Sequence, residues 1–217
     1  YAYMLSVEYD LESVDTCLTY ARLHSKATWE IRRTFSRTDL KAFFSPLISR
    51  LVQRTEAIQH FQNLRDQSIG SLRFPFKECR RGQQRMMEEV YQVIVDGDQL
   101  FVQAPTGIGK TMAVILPALK TLSQGKVDRI FYLTARSTGK QVAKEAFNIL
   151  LDQGLRLKMV TLTAKEKICF NAGAECNRDE CEFAKGYHDR IDEAITRAFE
   201  TDCLGRDAIE KIARQSM

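Results

Sequence analysis

No stretch of this 217-residue sequence is apolar for long enough to cross a membrane. The longest apolar run lies within 110–122 and is interrupted by Pro117, whereas a helical span needs about 20 apolar residues. No secretory leader pattern opens the chain, so a soluble cytoplasmic protein without a membrane partner is expected. Charge of one sign is also scarce. Thirty-two Lys and Arg stand against 28 Asp and Glu, giving a net charge of +4, too mild for charge alone to specify a nucleic-acid partner. Internal repeats and low-complexity tracts are absent, which excludes solenoid and disordered classes. An initiating Met is missing as well. The sequence opens Tyr-Ala-Tyr-Met-Leu, as if inside an apolar helix, and stops at Met217 within a charged helical pattern. We expect a piece of a longer polypeptide, long enough for one or two domains.

What is present centres on residues 104–111, Ala-Pro-Thr-Gly-Ile-Gly-Lys-Thr. This is an [A/G]xxxxGK[S/T] phosphate-binding loop, here formed by Ala104, Pro105, Thr106, Gly107, Ile108, Gly109, Lys110 and Thr111. Gly107 and Gly109 permit the tight path that lets backbone N–H groups curl around a polyphosphate. Lys110 reaches the terminal phosphates, and Thr111 can ligate Mg²⁺. The motif needs a buried strand before it and a helix after it. The apolar run in 98–103 predicts the strand, and 110–122, apolar nearly all round, predicts a sheet-covering helix stopped by Gly125. A second apolar run at 129–134 predicts the next strand of a right-handed βαβ unit.

Elsewhere, alternating apolar residues predict two strands, 14–23 and 28–35, joined by a turn at 24–27. Ser36 with Asp39 resembles a capping box, opening a helix over 38–65 with Pro46 as a point of bending. The polar, glycine-containing segment 67–71 predicts a linker. Further helices are expected at 81–95, 138–151, 189–199 and 207–213, and a third core strand at 155–163, with Gly97 and Gly154 as helix stops.

The six cysteines are read as thiols or metal ligands rather than disulfides. Cys17 and Cys79 stand alone and read as small buried hydrophobes. Cys169, Cys176 and Cys181 form a Cys-x6-Cys-x4-Cys group. Soft thiolates at this spacing suit either zinc or an iron-sulfur cluster, each of which normally takes four ligands. Cys203 is a candidate for the fourth.

Upstream of the loop stands Arg80-Arg-Gly-Gln83, preceded by Phe74-Pro-Phe76 and followed by Met86. A glutamine here can present its amide to an adenine edge. Phe74 to Met86, the loop, Tyr132-Leu-Thr-Ala-Arg136 and Lys165-Glu-Lys-Ile-Cys-Phe-Asn171, in that order, resemble the XPD/DinG-like superfamily 2 iron-sulfur helicases. The segment Cys176-Asn-Arg-Asp-Glu-Cys181-Glu-Phe-Ala-Lys-Gly-Tyr-His-Asp-Arg190 is similar to the cluster segment of bacterial members that carry an N-terminal RecB-like nuclease module, and Tyr1-Ala-Tyr3 resembles the end of that module's Gln-x-x-x-Tyr helix.

The resemblance implies an α/β fold. Its centre is an incomplete RecA-like P-loop NTPase core, a parallel sheet with flanking helices, into which a helical iron-sulfur lobe is inserted, with an α+β remnant at the N-terminus. It divides the chain into a nuclease remnant with a linker helix (1–70), the first part of RecA-like domain 1 (71–164) and the start of the cluster domain (165–217). It implies ATP, Mg²⁺ and a [4Fe-4S] cluster as cofactors, with zinc as the rival metal. Arg80 and Gln83 would hold adenine, Lys110 and Thr111 would be the catalytic residues, and Thr134, Arg136, Ser137 and Thr138 would contact the DNA backbone. Cys169, Cys176 and Cys181 would ligate the cluster, with the fourth ligand beyond Met217 and Cys203 a bystander. Basic residues around the group, among them Lys165, Lys167, Arg178, Lys185 and Arg190, would be available to phosphates.

The intact protein would walk 5′ to 3′ on single-stranded DNA, open forked duplexes in DNA repair and act as a monomer. No Asp-Glu-Ala-His string occurs in this sequence, so nucleotide binding without turnover is expected of this chain, since hydrolysis requires an acidic partner to Mg²⁺. The competing readings are a nucleotide-gated zinc-binding interaction module and a nuclease subunit that uses ATP for control.

Overall fold

The computed structural model describes residues 1–25, 27–135, 137–171, 173, 175–177 and 179–216, with Ser137 described by its backbone alone. The chain divides into two compact units, Tyr1–Gln62 and Asn63–Met217.

The first unit contains α1 (Ala2–Glu8), β1 (Ser13–Ala21), β2 (Thr28–Ser36) and most of α2 (Arg37–Ser71). The two strands form the expected antiparallel hairpin, in register from Ser13↔Ser36 to Ala21↔Thr28. The capping signal works as read: the Ser36 hydroxyl accepts the Asp39 N–H at 3.1 Å and donates to the Asp39 carboxylate at 2.6 Å. The helix then runs through Pro46. Cys17 does not become a small core residue. It lies exposed opposite Arg32 on the polar face of the hairpin, whose central part is covered on neither face.

The second unit is built on three helices, α3 (Gln83–Asp96), α4 (Lys110–Ser123) and α5 (Ser137–Asp152). Helix α4 is buried along most of its length. Its Met112, Ile115, Leu116, Leu119 and Leu122 pack with Ile69, Leu72, Ala146, Phe147, Leu150 and Leu155 in the main core. On its other side, Ala113 meets Met86 and Val90 of α3 in a smaller cluster. This two-sided burial explains why the sequence of α4 is apolar nearly all round. At the end of α5, Gly154 takes a left-handed φ of 94°. There Leu155 N–H donates to Leu150 O at 3.1 Å and Gly154 N–H to Leu151 O at 2.8 Å, a Schellman stop that drives Leu155 back into the core.

Several expectations are corrected in this unit. The proposed linker 67–71 is the last turn of α2, and it is anchored: Ile69 is fully buried and Leu72 nearly so. Polarity in that segment reflects one solvent-facing side of a helix rather than a break. The runs 98–103 and 129–134 are not strands. A strand is held by ladder hydrogen bonds from neighbours; among the described residues neither run has such a neighbour, and Phe101 and Leu133 stay about nine-tenths exposed, at 91% and 88%. Cys79, in the loop before α3, is exposed rather than buried.

The expected third strand shrinks to β3 (Met159–Val160), which pairs in parallel with β4 (Cys203–Leu204). Between these strands the chain makes an excursion through α6 (Lys165–Ile168), the cysteine segment and α7 (Tyr187–Phe199), and α8 (Arg206–Gln215) follows the return. Lys158 and Asp202, which precede the two strands, close the base of the excursion with an ion pair at 2.9 Å.

Candidate nucleotide-binding site

The phosphate loop enters α4 through Gly109, at the helix N-cap. Gly107 and Gly109 take φ values of 85° and 82°, a region that only glycine enters without strain. At Gly109 a side chain is excluded twice over, because a Cβ there would collide with the amide nitrogen of Gln83. Lys110 folds its ammonium onto the loop itself, donating to Ala104 O at 3.0 Å and to Pro105 O at 2.7 Å. Thr111 follows as the second residue of α4, half-buried. The first N–H groups of a 14-residue helix, two positive-φ glycines and a lysine are thus gathered at one point, the arrangement that receives a polyphosphate.

Arg80 and Gln83 join this loop across 27 and 26 residues of sequence, respectively. The Gln83 side chain is almost wholly buried, at 2% exposure, and both ends of its amide are engaged. Its Oε1 accepts Arg80 N–H at 3.0 Å, and its Nε2 donates to Gly109 O at 3.2 Å. Arg80 in turn donates from Nη1 to Gly107 O. Gly82, left-handed at the N-cap of α3, turns the chain so that both side chains face the loop. The Arg-x-x-Gln element therefore braces both glycines of the phosphate loop through their carbonyls.

Thr134 and Thr138 lie exposed on either side of the start of α5. Arg136 and the Ser137 side chain lie outside the described residues. Sequence reasoning missed Gly139. A Cβ at that position would strike the Thr134 hydroxyl and stand 3.0 Å from Thr134 Cβ, so this glycine lets the 131–134 segment approach the helix. Glycine in the first turn of a helix, where it lowers helix propensity, was the available signal.

Lys120 was missed too. It is the one lysine inside the apolar stretch of α4, and its ammonium donates to Ile69 O at 2.6 Å, Leu72 O at 3.0 Å and Gly70 O at 3.2 Å. It thereby caps the carbonyl end of α2. Burial pushes its pKa down.

The cysteine segment is organised by other residues. Asn177 Oδ1 accepts N–H bonds from Asp179 and Glu180, Phe170 packs on Phe183 with ring centroids 5.4 Å apart, and the Arg214 guanidinium lies 4.5 Å above the Phe170 ring. Arg190 is used structurally, donating to Phe183 O and Lys185 O at 3.0 and 2.7 Å. Cys181 is buried, Cys169 half-buried and Cys176 exposed. The Cys176 sulfur beside Lys165 holds that ammonium above its ordinary pKa. Among the described residues no three His, Cys, Asp or Glu side chains gather into a metal-holding group. The donor chemistry suits a soft metal, but the thiols as they stand do not form a ligand set. Cys203 is held in β4 beside Met159, and local desolvation of its thiol, ahead of the Asp202 carboxylate, raises its pKa.

A phosphate loop braced from an upstream Arg-x-x-Gln turn, at the head of a buried helix, defines a P-loop nucleotide-binding module of the α/β class. The chain belongs to the DEAD/DEAH box helicase family, whose model matches residues 80–200. That family has a RecA-like α/β fold and uses ATP and Mg²⁺. The chain is also similar to a protein of Methanocaldococcus jannaschii named as a probable ATP-dependent helicase, with 34% identity over 114 residues. The match covers 52% of this chain and 17% of that relative. No solved structure matches the chain.

Proposed function

We propose that this chain is the nucleotide-gripping part of an ATP-dependent DNA helicase of the XPD/DinG-like type, which moves 5′ to 3′ along single-stranded DNA. The observation that carries this reading is the double brace from Arg80 and Gln83 to the carbonyls of Gly107 and Gly109. It ties the element expected at adenine to the loop expected at the phosphates. ATP would lie with its phosphates over the Gly107–Thr111 backbone. Lys110 would exchange its loop carbonyls for the terminal phosphates, and Thr111 would ligate Mg²⁺. To reach adenine, the Gln83 amide would give up a present partner or share it. Thr134, Arg136, Ser137 and Thr138 would contact the DNA backbone at the start of α5, where the helix dipole favours phosphate.

Turnover needs an acidic Mg²⁺ partner and an arginine from a second RecA-like domain, and the sequence has no Asp-Glu-Ala-His string. This chain therefore binds ATP without hydrolysing it. In the full-length protein, Cys169, Cys176 and Cys181 would supply three thiolates to an iron-sulfur cluster. The spacing suits zinc equally, so that assignment rests on the resemblance, and zinc is its rival.

Titration of the chain with a fluorescent ATP analogue in Mg²⁺ tests the core of this reading. Lys110→Ala should weaken binding by about a hundredfold or more, because the variant has no ammonium to donate charge-assisted hydrogen bonds to the terminal phosphates. Equal affinity in the variant would sink the site. For the full-length protein, unwinding of duplexes with a 5′ but not a 3′ single-stranded tail tests direction. Metal analysis after anaerobic purification separates about four irons from one zinc.

A further inference from the structure

We propose that the β1–β2 ribbon is a platform for single-stranded nucleic acid, built independently of the phosphate loop. The register of the ribbon sorts its side chains onto two faces, because directly paired residues in an antiparallel ladder share a face and successive residues alternate. One face carries the pairs Val14↔Phe35, Thr16↔Arg33, Leu18↔Ile31 and Tyr20↔Trp29. Toward the turn this face is open: Tyr20 and Trp29 are 52% and 53% exposed, and Leu18 and Ile31 are similarly uncovered.

The charges divide with the faces. Asp15, Glu30 and Arg32 belong to the opposite face, where the Asp15 carboxylate accepts a hydrogen bond from the Thr34 hydroxyl and Arg32 pairs with Glu30 at 2.8 Å. The aromatic face carries Arg33 and no carboxylate, and Arg22, just past the end of β1, sets its guanidinium 5.6 Å from the centre of the Trp29 ring.

Two partner chemistries compete for such a face. An apolar protein surface would be poorly served by Arg33 in the middle of the face, because its charge would have to be desolvated without a carboxylate. A single strand of nucleic acid needs what is present: flat π-surfaces for bases, cations for phosphates, and aliphatic contacts between them. Arg33 lies four residues along β2 from Trp29, about 13 Å at strand rise, so base stacking and phosphate contact would fall at separate points of one strand. In this arrangement bases stack on Tyr20 and Trp29, with Arg22 sandwiching the indole, and the backbone continues toward Arg33.

Trp29 is the sole tryptophan of the chain, so its fluorescence reports on the ribbon. Oligothymidylate added to the whole chain should quench it, with or without ATP, and added salt should weaken the effect. Tyr20→Ala or Trp29→Ala should each reduce affinity for a labelled oligothymidylate by about tenfold, whereas Trp29→Phe, which keeps an aromatic face, should lose far less. Oligouridylate replaces oligothymidylate in a parallel titration, and quenching by either upholds the platform. Quenching by duplex alone, or a protein-concentration-dependent change in Trp29 emission without oligonucleotide, overturns it in favour of groove binding or self-association. Oligonucleotide binding with Trp29 silent overturns the platform and leaves the proposed helicase function in place. Loss of ATP binding with the quench intact would do the reverse.

Discussion

At the scale of single residues, Gly109 and Gln83 form one device. Gln83 has a buried amide satisfied at both ends only because Gly109 has no side chain and holds a backbone conformation that side chains disfavour. Gly109→Ala adds a left-handed penalty of about 1 kcal/mol and forces the amide away from Gly109 O, which costs a further 1 kcal/mol or so for a partly buried hydrogen bond. An unfolding free energy lowered by about 2 kcal/mol in denaturant titration, together with weakened ATP-analogue binding, is the expected result. A Gly109→Ala protein of native stability would show that the brace is dispensable. Composition and spacing made the loop legible as a phosphate site. They could not show that Gln83 already has partners within the protein, because hydrogen bonding across 26 residues is decided by how α3 meets α4.

At the scale of elements, the helices and the β1–β2 hairpin were far more legible than the strands of the second unit. Helix α4 announced itself by its apolar run, and α3 and α5 by their periodicity and glycine stops, all of which are local. Strands at 98–103 and 129–134 depended on neighbours that pattern cannot supply, and among the described residues of this unit only the short β3–β4 pair formed. The end of α2 was misread for a related reason: its polar sequence conceals the buried Ile69, and Lys120 of α4, distant in sequence, donates to the carbonyls at that end. Lys120→Met keeps the aliphatic stem but removes three charge-assisted donors, so it should destabilise the chain by about 2 kcal/mol. Burial lowers the Lys120 pKa in the folded state below the ordinary 10.5. The unfolded chain then holds the proton over a window in which the folded one has lost it. The burial penalty is therefore complete below the folded value and relieved as pH rises toward 10.5. The stability gap between wild type and Lys120→Met should widen over that alkaline interval. A gap that narrows there would mean that the ammonium is not desolvated at the cap.

For the molecule as a whole, burial is unevenly distributed between the units. Both core clusters lie in Asn63–Met217, whereas Ser6 is the only fully buried described residue of Tyr1–Gln62. A two-stranded ribbon has little stability of its own in water, and free energy of local opening follows buried apolar contact. Amide hydrogen exchange read by mass spectrometry should therefore separate the units. The β1–β2 amides should exchange with opening free energies several kcal/mol below those of α4, whose Ala113, Ile115 and Leu119 are sealed from solvent. Oligothymidylate should slow exchange in β1 and β2 if bases stack there, whereas ATP with Mg²⁺ should slow it at 104–113 and leave the ribbon unchanged. Uniform protection across both units would show instead that they unfold together, and the low burial of the ribbon would then not govern its stability.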